Sequence, residues 1–545
     1  MTVTRVLIRV AALQPRRCFS FSPYEYPLAK EAPIVTKTTA VEAEKCPPTN
    51  VGKEKQRHPA DPFDDSRSLS DLEVDSVRNM QKKFLSTELQ GSTVIGFIAP
   101  PEIPSLMEAS VIPQTEISIL ENGVRVVSQE TYGQVCSIGV LANFGSRHEE
   151  QLGTAHLMEL MAFQSTPQCN DSVEVQKLLQ DWGGTSFANS SREQSLWCLD
   201  ILRPNVEKGM DLLKQTTLDP LLQEWEIEDS KLAMQYQAME MIPEVQLGEA
   251  LQVAAYGANQ QLGKLHFAPL DAIVNLTKNS VYQFLRTNLW NNPQGIVVAG
   301  AGIGHDELVD MTELHYGSLK QKTADQTIPS TYNGGMHILQ TSKIDELTRV
   351  GIGLEVGGWH SDDLVPGCVL QTLLGGGSSF SAGGPGKGMY SRLYRQVLNR
   401  YHWAEAAEAF TTFNGESGLI GIIGSSKNEK LRDLTHVITE HLLKLAEDLV
   451  SDEELDRARN MLKNNVLTQL ESRLVLFEDM GRQVLTYGRR EENVEMTSKI
   501  DAVTKEDLRN LIIRALQKPP TISAIGDDLK NLPSHDEVKE WFKLL

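Results

Sequence analysis

Asp271-Ala272-Ile273, then Thr277-Lys278, a helix-forming run and the apolar strand Ile296-Val297-Val298-Ala299-Gly300 form a pattern that returns late in the chain. There, Asp501-Ala502-Val503, Thr504-Lys505, a second helix-forming run and Ile522-Ser523-Ala524-Ile525-Gly526 stand in the same order at similar spacing. A second echo precedes each unit. Ile138-Gly139-Val140 with Gly145, Glu149 and Glu150 corresponds to Val350-Gly351-Ile352 with Gly357, Asp362 and Asp363. Paired repeats that mix strand and helix periodicities predict a duplicated α+β module, one copy over 113–320 and one over 330–545. Chance similarity between two ordinary α/β units is the alternative.

The first copy reads as alternating elements. Ile117 and Ile119, then Val124, Val126 and Val127, flank the turn Glu121-Asn122-Gly123 and predict a strand pair. A strand is expected over 136–144, closed by Gly145, and another over 194–201. Helices are expected over 153–163, 172–182 (stopped by Gly183-Gly184), 205–216 and 224–241. In the second copy Ser451 with Glu454, and Thr504 with Asp507, have the spacing of helix capping boxes.

Upstream the character changes. Residues 1–24 hold Arg5, Arg9, Arg16 and Arg17 and no acid, with Val6, Leu7, Val10 and Leu13 between them at helical spacing. A basic amphipathic segment of this kind is a mitochondrial transit peptide by composition, and Arg17-Cys18-Phe19-Ser20 places its cleavage after Phe19. Residues 1–19 are therefore expected to be the transit peptide. Residues 20–112, rich in Pro, Ser and mixed charge, are expected to be a linker or loosely packed arm with one helix near 74–86.

The 545 residues exceed one ordinary domain, and 40% hydrophobic residues suffice for sizeable cores. A formal charge of -20 argues against a nucleic-acid binder; it suits a basic partner, or serves solubility alone. No apolar run reaches the roughly 18 residues that a transmembrane helix needs. The six cysteines (18, 46, 136, 169, 198, 368) include no CxxC pair, so free buried thiols are expected.

Two stretches carry chemistry. In Gly153-Thr154-Ala155-His156-Leu157-Met158-Glu159-Leu160, His156 and Glu159 match the first histidine and the glutamate of the inverted zinc motif His-x-x-Glu-His. Leu160 stands where the second histidine belongs. Two histidines four residues apart share a helix face and reach one Zn²⁺, and the glutamate serves as base for the metal-bound water. A leucine donates no lone pair. Taken alone, His156 is equally a structural histidine and Glu159 a surface acid.

The other stretch runs from Leu374 to Tyr394, with seven glycines between 375 and 388. Such a backbone reaches φ > 0 and lets a substrate approach closely. It is not a phosphate loop, because Gly388 follows Lys387 where Ser or Thr is required and Ser381 replaces the first glycine. A plain linker is the bland alternative, but residues 389–399 continue at once as a helix-forming segment.

With the damaged motif helix, the run Gly375-Gly376-Gly377-Ser378-Ser379-Phe380-Ser381-Ala382-Gly383-Gly384-Pro385-Gly386-Lys387-Gly388-Met389, an aromatic, Ser391-Arg392-Leu393-Tyr394 and the later His402-Trp403 resemble the alpha-subunit family of the mitochondrial processing peptidases, within the pitrilysin-like metallopeptidases. The resemblance spans about 113–545; Ser378 within the glycine run and the long stretch before 113 depart from it. It implies two homologous α+β modules, each a mainly antiparallel sheet packed with helices, forming a bowl of the LuxS/metallopeptidase-like kind. It implies a third ligand position on a later helix, which falls by register at Gln237 or Tyr236, with Glu240 an imperfect substitute. The chain would then lack catalytic residues and a metal of its own, with Zn held by a beta partner in a heterodimer.

The resemblance also implies that Gly375, Gly376, Gly377, Ser378, Ser379, Phe380, Ser381, Gly383, Gly384, Gly386, Lys387 and Gly388 bind basic presequence peptides, with Glu405, Glu408 and Glu416 as candidate carboxylates nearby. The expected setting is the mitochondrial matrix, and any inner-membrane association would involve no transmembrane helix. Two readings compete with this one: a structural core subunit of the cytochrome bc1 complex, which shares the fold, and a self-sufficient zinc peptidase.

Overall fold

The computed structural model describes residues 113–131, 133–322, 327–341, 346–378 and 389–543. The expected transit peptide, its cleavage after Phe19, the arm with its helix near 74–86, Cys18 and Cys46 lie outside them. The first module runs β1 (Glu116–Ile119), β2 (Arg125–Gln129), β3 (Val135–Ala142), α1 (Thr154–Leu160), α2 (Ser172–Asp181), β4 (Thr185–Ser190), β5 (Ser195–Leu202), α3 (Val206–Leu218), α4 (Glu224–Met239), α5 (Pro243–Tyr256), α6 (Leu270–Val274), α7 (Lys278–Leu285), β6 (Ile296–Ala301) and α8 (His305–Tyr316). The second runs β7 (Gly335–Gln340), β8 (Leu347–Gly357), α9 (Leu364–Leu374), β9 (Gly376–Ser378), β10 (Ala404–Phe413), β11 (Ser417–Lys427), α10 (Leu431–Glu447), α11 (Asp452–Leu470), α12 (Arg473–Tyr487), α13 (Asn493–Ala502), α14 (Lys505–Ala515), β12 (Thr521–Gly526) and α15 (His535–Phe542).

Each module holds one six-stranded sheet, ordered β1-β2-β6-β3-β5-β4 and β7-β12-β8-β11-β10-β9. In both, the last strand of the module pairs in parallel with an early one (β6 with β2, β12 with β7) and every other pairing is antiparallel. The architecture is α+β with two homologous modules. The two echoes fall on equivalent strands: Gly139 lies in β3 and Gly351 in β8, each beside the late strand of its sheet. The capping echo is real as well, since Thr277 accepts a hydrogen bond from Ser280 N and Thr504 from Asp507 N.

The late strands read as continuous apolar runs because both their faces are covered. In β6, Ile296 and Val298 face the core beneath the first module's own helices. Val297, Ala299 and Ala301 face a second core that Leu476, Phe477, Met480 and Val484 of α12 complete. The modules thus exchange helices: α12 of the second covers the first sheet, and α5 of the first packs on β7, β8 and β12. The exchange needs room in the central strand. A Cβ on Gly139 would stand 2.3 Å from Trp197 O of β5 and 2.6 Å from Phe477 of α12, and one on Gly351 3.0 Å from Leu251 of α5. Cys136, Cys169, Cys198 and Cys368 are buried.

Candidate functional site

α1 begins at Gly153, whose φ of 89° turns the chain into the helix. The first turn is capped from upstream: the buried Glu149 carboxylate accepts hydrogen bonds from Gly153 N at 2.8 Å and Ala155 N at 2.7 Å. Burial pushes that carboxyl up to about 8 although both backbone donors favour the charged form. One turn on, His156 is buried, with its ring edge-on to Phe267 at 5.1 Å and 6.0 Å from His266. Burial lowers its pKa, partly offset by a hydrogen bond to the Gln237 side chain.

Gln237, itself exposed, lies in the last turn of α4, so of the two positions that the resemblance implied there, Gln237 is the one that approaches His156. Tyr236 projects into solvent instead, and Glu240 forms the exposed end of the helix. Leu160 rests partly buried against the first module's core. Glu159 is held by Ser190 at the end of β4, accepting from Ser190 N at 2.7 Å and Oγ at 2.8 Å.

The donor set is one imidazole, one neutral amide and a hydrocarbon, which does not fit a zinc centre of three N, S or carboxylate ligands and a water. Among the described residues, no three His, Cys, Asp or Glu side chains are grouped to hold a metal ion. Sequence reasoning missed the clamp on Glu159 and the aromatic pair His266-Phe267. Ser190 and these two residues carry no local pattern and meet α1 only through the fold.

The base of the glycine-rich loop is an edge strand. β9 pairs antiparallel with β10, Gly377 opposite Ala407 and Gly376 opposite Glu408. Gly375 O accepts from Ala409 N at 2.9 Å, and Ser391 Oγ accepts from Gly376 N at 3.1 Å, so both ends of the loop are tied to one point. Arg392 continues the anchor by pairing at 3.0 Å with Glu454, the capping acid of α11. Ser379, Phe380, Ser381, Gly383, Gly384, Gly386, Lys387 and Gly388 lie outside the described residues. The helix expected over 389–399 is shorter than its composition suggested. It begins after Ser391 and winds into a π turn, Tyr394–Leu398, closed by Asn399 N donating to Tyr394 O at 3.0 Å.

The three candidate carboxylates differ. Glu408 is half-buried at the loop base, and desolvation raises its carboxyl to about 7. Glu405 is half-buried on the same strand. Glu416 is partly exposed but already engaged within the chain. Its oxygens accept from Arg147 at 2.8 and 2.9 Å and from Ser330 N at 2.7 Å. The fully buried Arg147 also pairs with Glu193, whose carboxylate accepts from Gly415 N at 3.0 Å and Trp359 Nε1 at 3.2 Å. Desolvation opposes the charge on Glu416, but the Arg147 guanidinium outweighs it and holds the carboxyl below its usual range.

Residues 125–269 match the profile of the insulinase family of peptidases (peptidase family M16), and residues 275–462 match the profile described as the peptidase M16 inactive domain. The human mitochondrial-processing peptidase subunit alpha is 33% identical over 465 residues, covering 81% of this chain and 87% of that protein. The probable mitochondrial-processing peptidase subunit alpha-1 of Arabidopsis thaliana is 32% identical over 453 residues, covering 82% and 88%. Among solved structures, a chain of complex III2 from Candida albicans superposes with a TM-score of 0.68 at 18% identity, over 79% of this chain and 100% of that one. A protease from Helicobacter pylori gives 0.66 at 21%, over 76% and 99%.

Proposed function

This chain belongs to the M16, insulinase-type peptidase family, and from that premise we propose that it is the non-catalytic, substrate-recognising subunit of the mitochondrial processing peptidase. The complex would cleave basic presequences from imported precursors in the mitochondrial matrix. The observation that carries the reading is the motif helix itself: its helical fold is kept, while Leu160 stands where the motif's second histidine would and the neutral Gln237, not an acid, approaches His156. A beta partner with a complete motif would supply the zinc-activated water.

What this chain supplies is position and charge. The tied glycine-rich loop offers backbone that an extended peptide can approach closely. The charge of -20 steers arginine-bearing presequences towards the complex. The complex III likeness supports a respiratory core role only through a shared fold at 18% identity, whereas relatives named as processing-peptidase alpha subunits reach 33%.

The test is reconstitution. The purified chain should bind a presequence peptide without hydrolysing it, and a processing beta subunit should restore cleavage. Zinc-dependent hydrolysis by the chain alone would sink the assignment. Co-purification from mitochondria with respiratory-complex subunits and no beta subunit would move it to the core-protein reading.

A further inference from the structure

Among the described residues, α4 has an unpartnered face. Trp225, Leu232, Tyr236 and Met239 are each at least 51% exposed, although they are large and apolar. At 3.6 residues per turn they fall within an arc of about 60° and form a seam about 21 Å long. The helix is not inverted: Glu226, Ile227, Ser230 and Met234 are buried on its other side. A contiguous exposed apolar patch on a helix is characteristic of a binding surface.

Carboxylates line the seam. Asp229 lies at its edge, with Glu228 and Glu240 on either flank. Glu228 holds Lys231 at 2.9 Å, and among the described residues no cation stands within ion-pair distance of Asp229 or Glu240. Gln237, beside Tyr236 in the same turn, is the residue that bonds His156, so the seam borders the motif helix.

We propose that this face docks a basic amphipathic helix of about 14 residues, laying its apolar stripe on the seam and its arginines on the flanking acids. The inference rests on the presequence-recognition reading and adds a second contact, separate from the glycine-rich loop. Charge selects the occupant. An anionic lipid surface or nucleic acid would be repelled, and a second copy of the chain would bring like charges together. The pattern Arg5, Val6, Leu7, Arg9, Val10, Leu13, Arg16 in this chain's own leader has the required chemistry.

The experiment measures anisotropy of a labelled synthetic peptide of residues 1–19 with the full-length chain, its Leu232→Asp and Tyr236→Asp variants, and Val494→Asp as an exposed apolar control elsewhere. The α4 variants should bind at least tenfold more weakly and the control as wild type, with circular dichroism unchanged in all. A photo-crosslinker at position 236 should capture the peptide. Wild-type affinity in both α4 variants, with peptide still bound, would overturn the docking face and leave the recognition reading standing. Absence of binding by wild type would overturn both. Crosslinks only between copies of the chain would reassign the face to self-association and overturn the proposal.

Discussion

Arg147 of the first module and Glu416 of the second meet through two hydrogen bonds, 2.8 and 2.9 Å long, with the guanidinium almost wholly out of solvent. Glu193 accepts from Nη1, a nitrogen that also donates to Glu416, and ties the network to the backbone of Gly415. Removing one member of such a network strands the others. Arg147→Met should therefore cost about 3–5 kcal/mol in urea unfolding, because the buried Glu193 loses its cation and the partly exposed Glu416 loses its anchor. Glu416→Gln, which keeps an acceptor, should cost less. Equal midpoints for Arg147→Met and wild type would show that the network carries no stability.

This network also marks where sequence stopped being sufficient. Glu416 follows the glycine-rich loop and resembles any exposed acid; only the sheet-to-sheet approach reveals that Arg147 lies 269 residues away in sequence yet in contact. The echo of Ile138-Gly139-Val140 and Val350-Gly351-Ile352 was legible as repetition. Its cause was not, because Phe477 and Leu251 come from the opposite modules. The edge strand β4, Thr-Ser-Phe-Ala-Asn-Ser, is too polar for a hydrophobic period to register, so its grip on Glu159 was invisible. The later-helix position, by contrast, came from the family resemblance, which left Gln237 and Tyr236 open; of the two, Gln237 is the one that reaches His156.

The metal site should be recoverable. Leu160 lies one helical turn after His156 on the same face, and Gln237 already touches His156. Leu160→His combined with Gln237→Glu would complete a set of two imidazoles and one carboxylate. The double variant is expected to bind about one zinc per chain after dialysis, read by elemental analysis, where wild type retains none. A folded double variant that holds no zinc would refute the view that only these two side chains are missing.

Glu408 makes stability depend on pH. Desolvation raises its folded-state pKa from 4.5 to about 7, so between those values the native chain holds a proton that the unfolded chain has released. The favourable contribution is complete below about pH 4.5 and is lost as pH rises through about 7. Glu408→Gln stays neutral throughout. Its melting temperature should match wild type near pH 4.5, exceed it increasingly up to about pH 7, and hold that margin above. The difference curve cancels Glu149, which titrates in the same sense in both proteins. A difference that is flat across that range would show that Glu408 is solvated.

The loop base can be broken at a single atom. Gly376 has φ +104°, and a Cβ there would overlap the carbonyl oxygen of Ala407 on the paired strand. Gly376→Ala must therefore adopt a strained backbone, costing of order 1–3 kcal/mol, or lift β9 from β10. Because β9 is three residues at a sheet edge, lifting it is the cheaper response, and the global melting temperature should change little. The loop base would then lose its strand pairing and keep only the Ser391 and Arg392–Glu454 ties beside it. Fluorescence titration with a presequence peptide should show affinity reduced about tenfold or more, with deletion of 375–388 at least as severe. Gly377→Ala, strained at φ +149° but with no atom within 4 Å of its added Cβ, should be milder because it brings no clash with β10. Undiminished affinity in both Gly376→Ala and the deletion would mean that presequences bind elsewhere, and the loop's place in recognition would have to be abandoned.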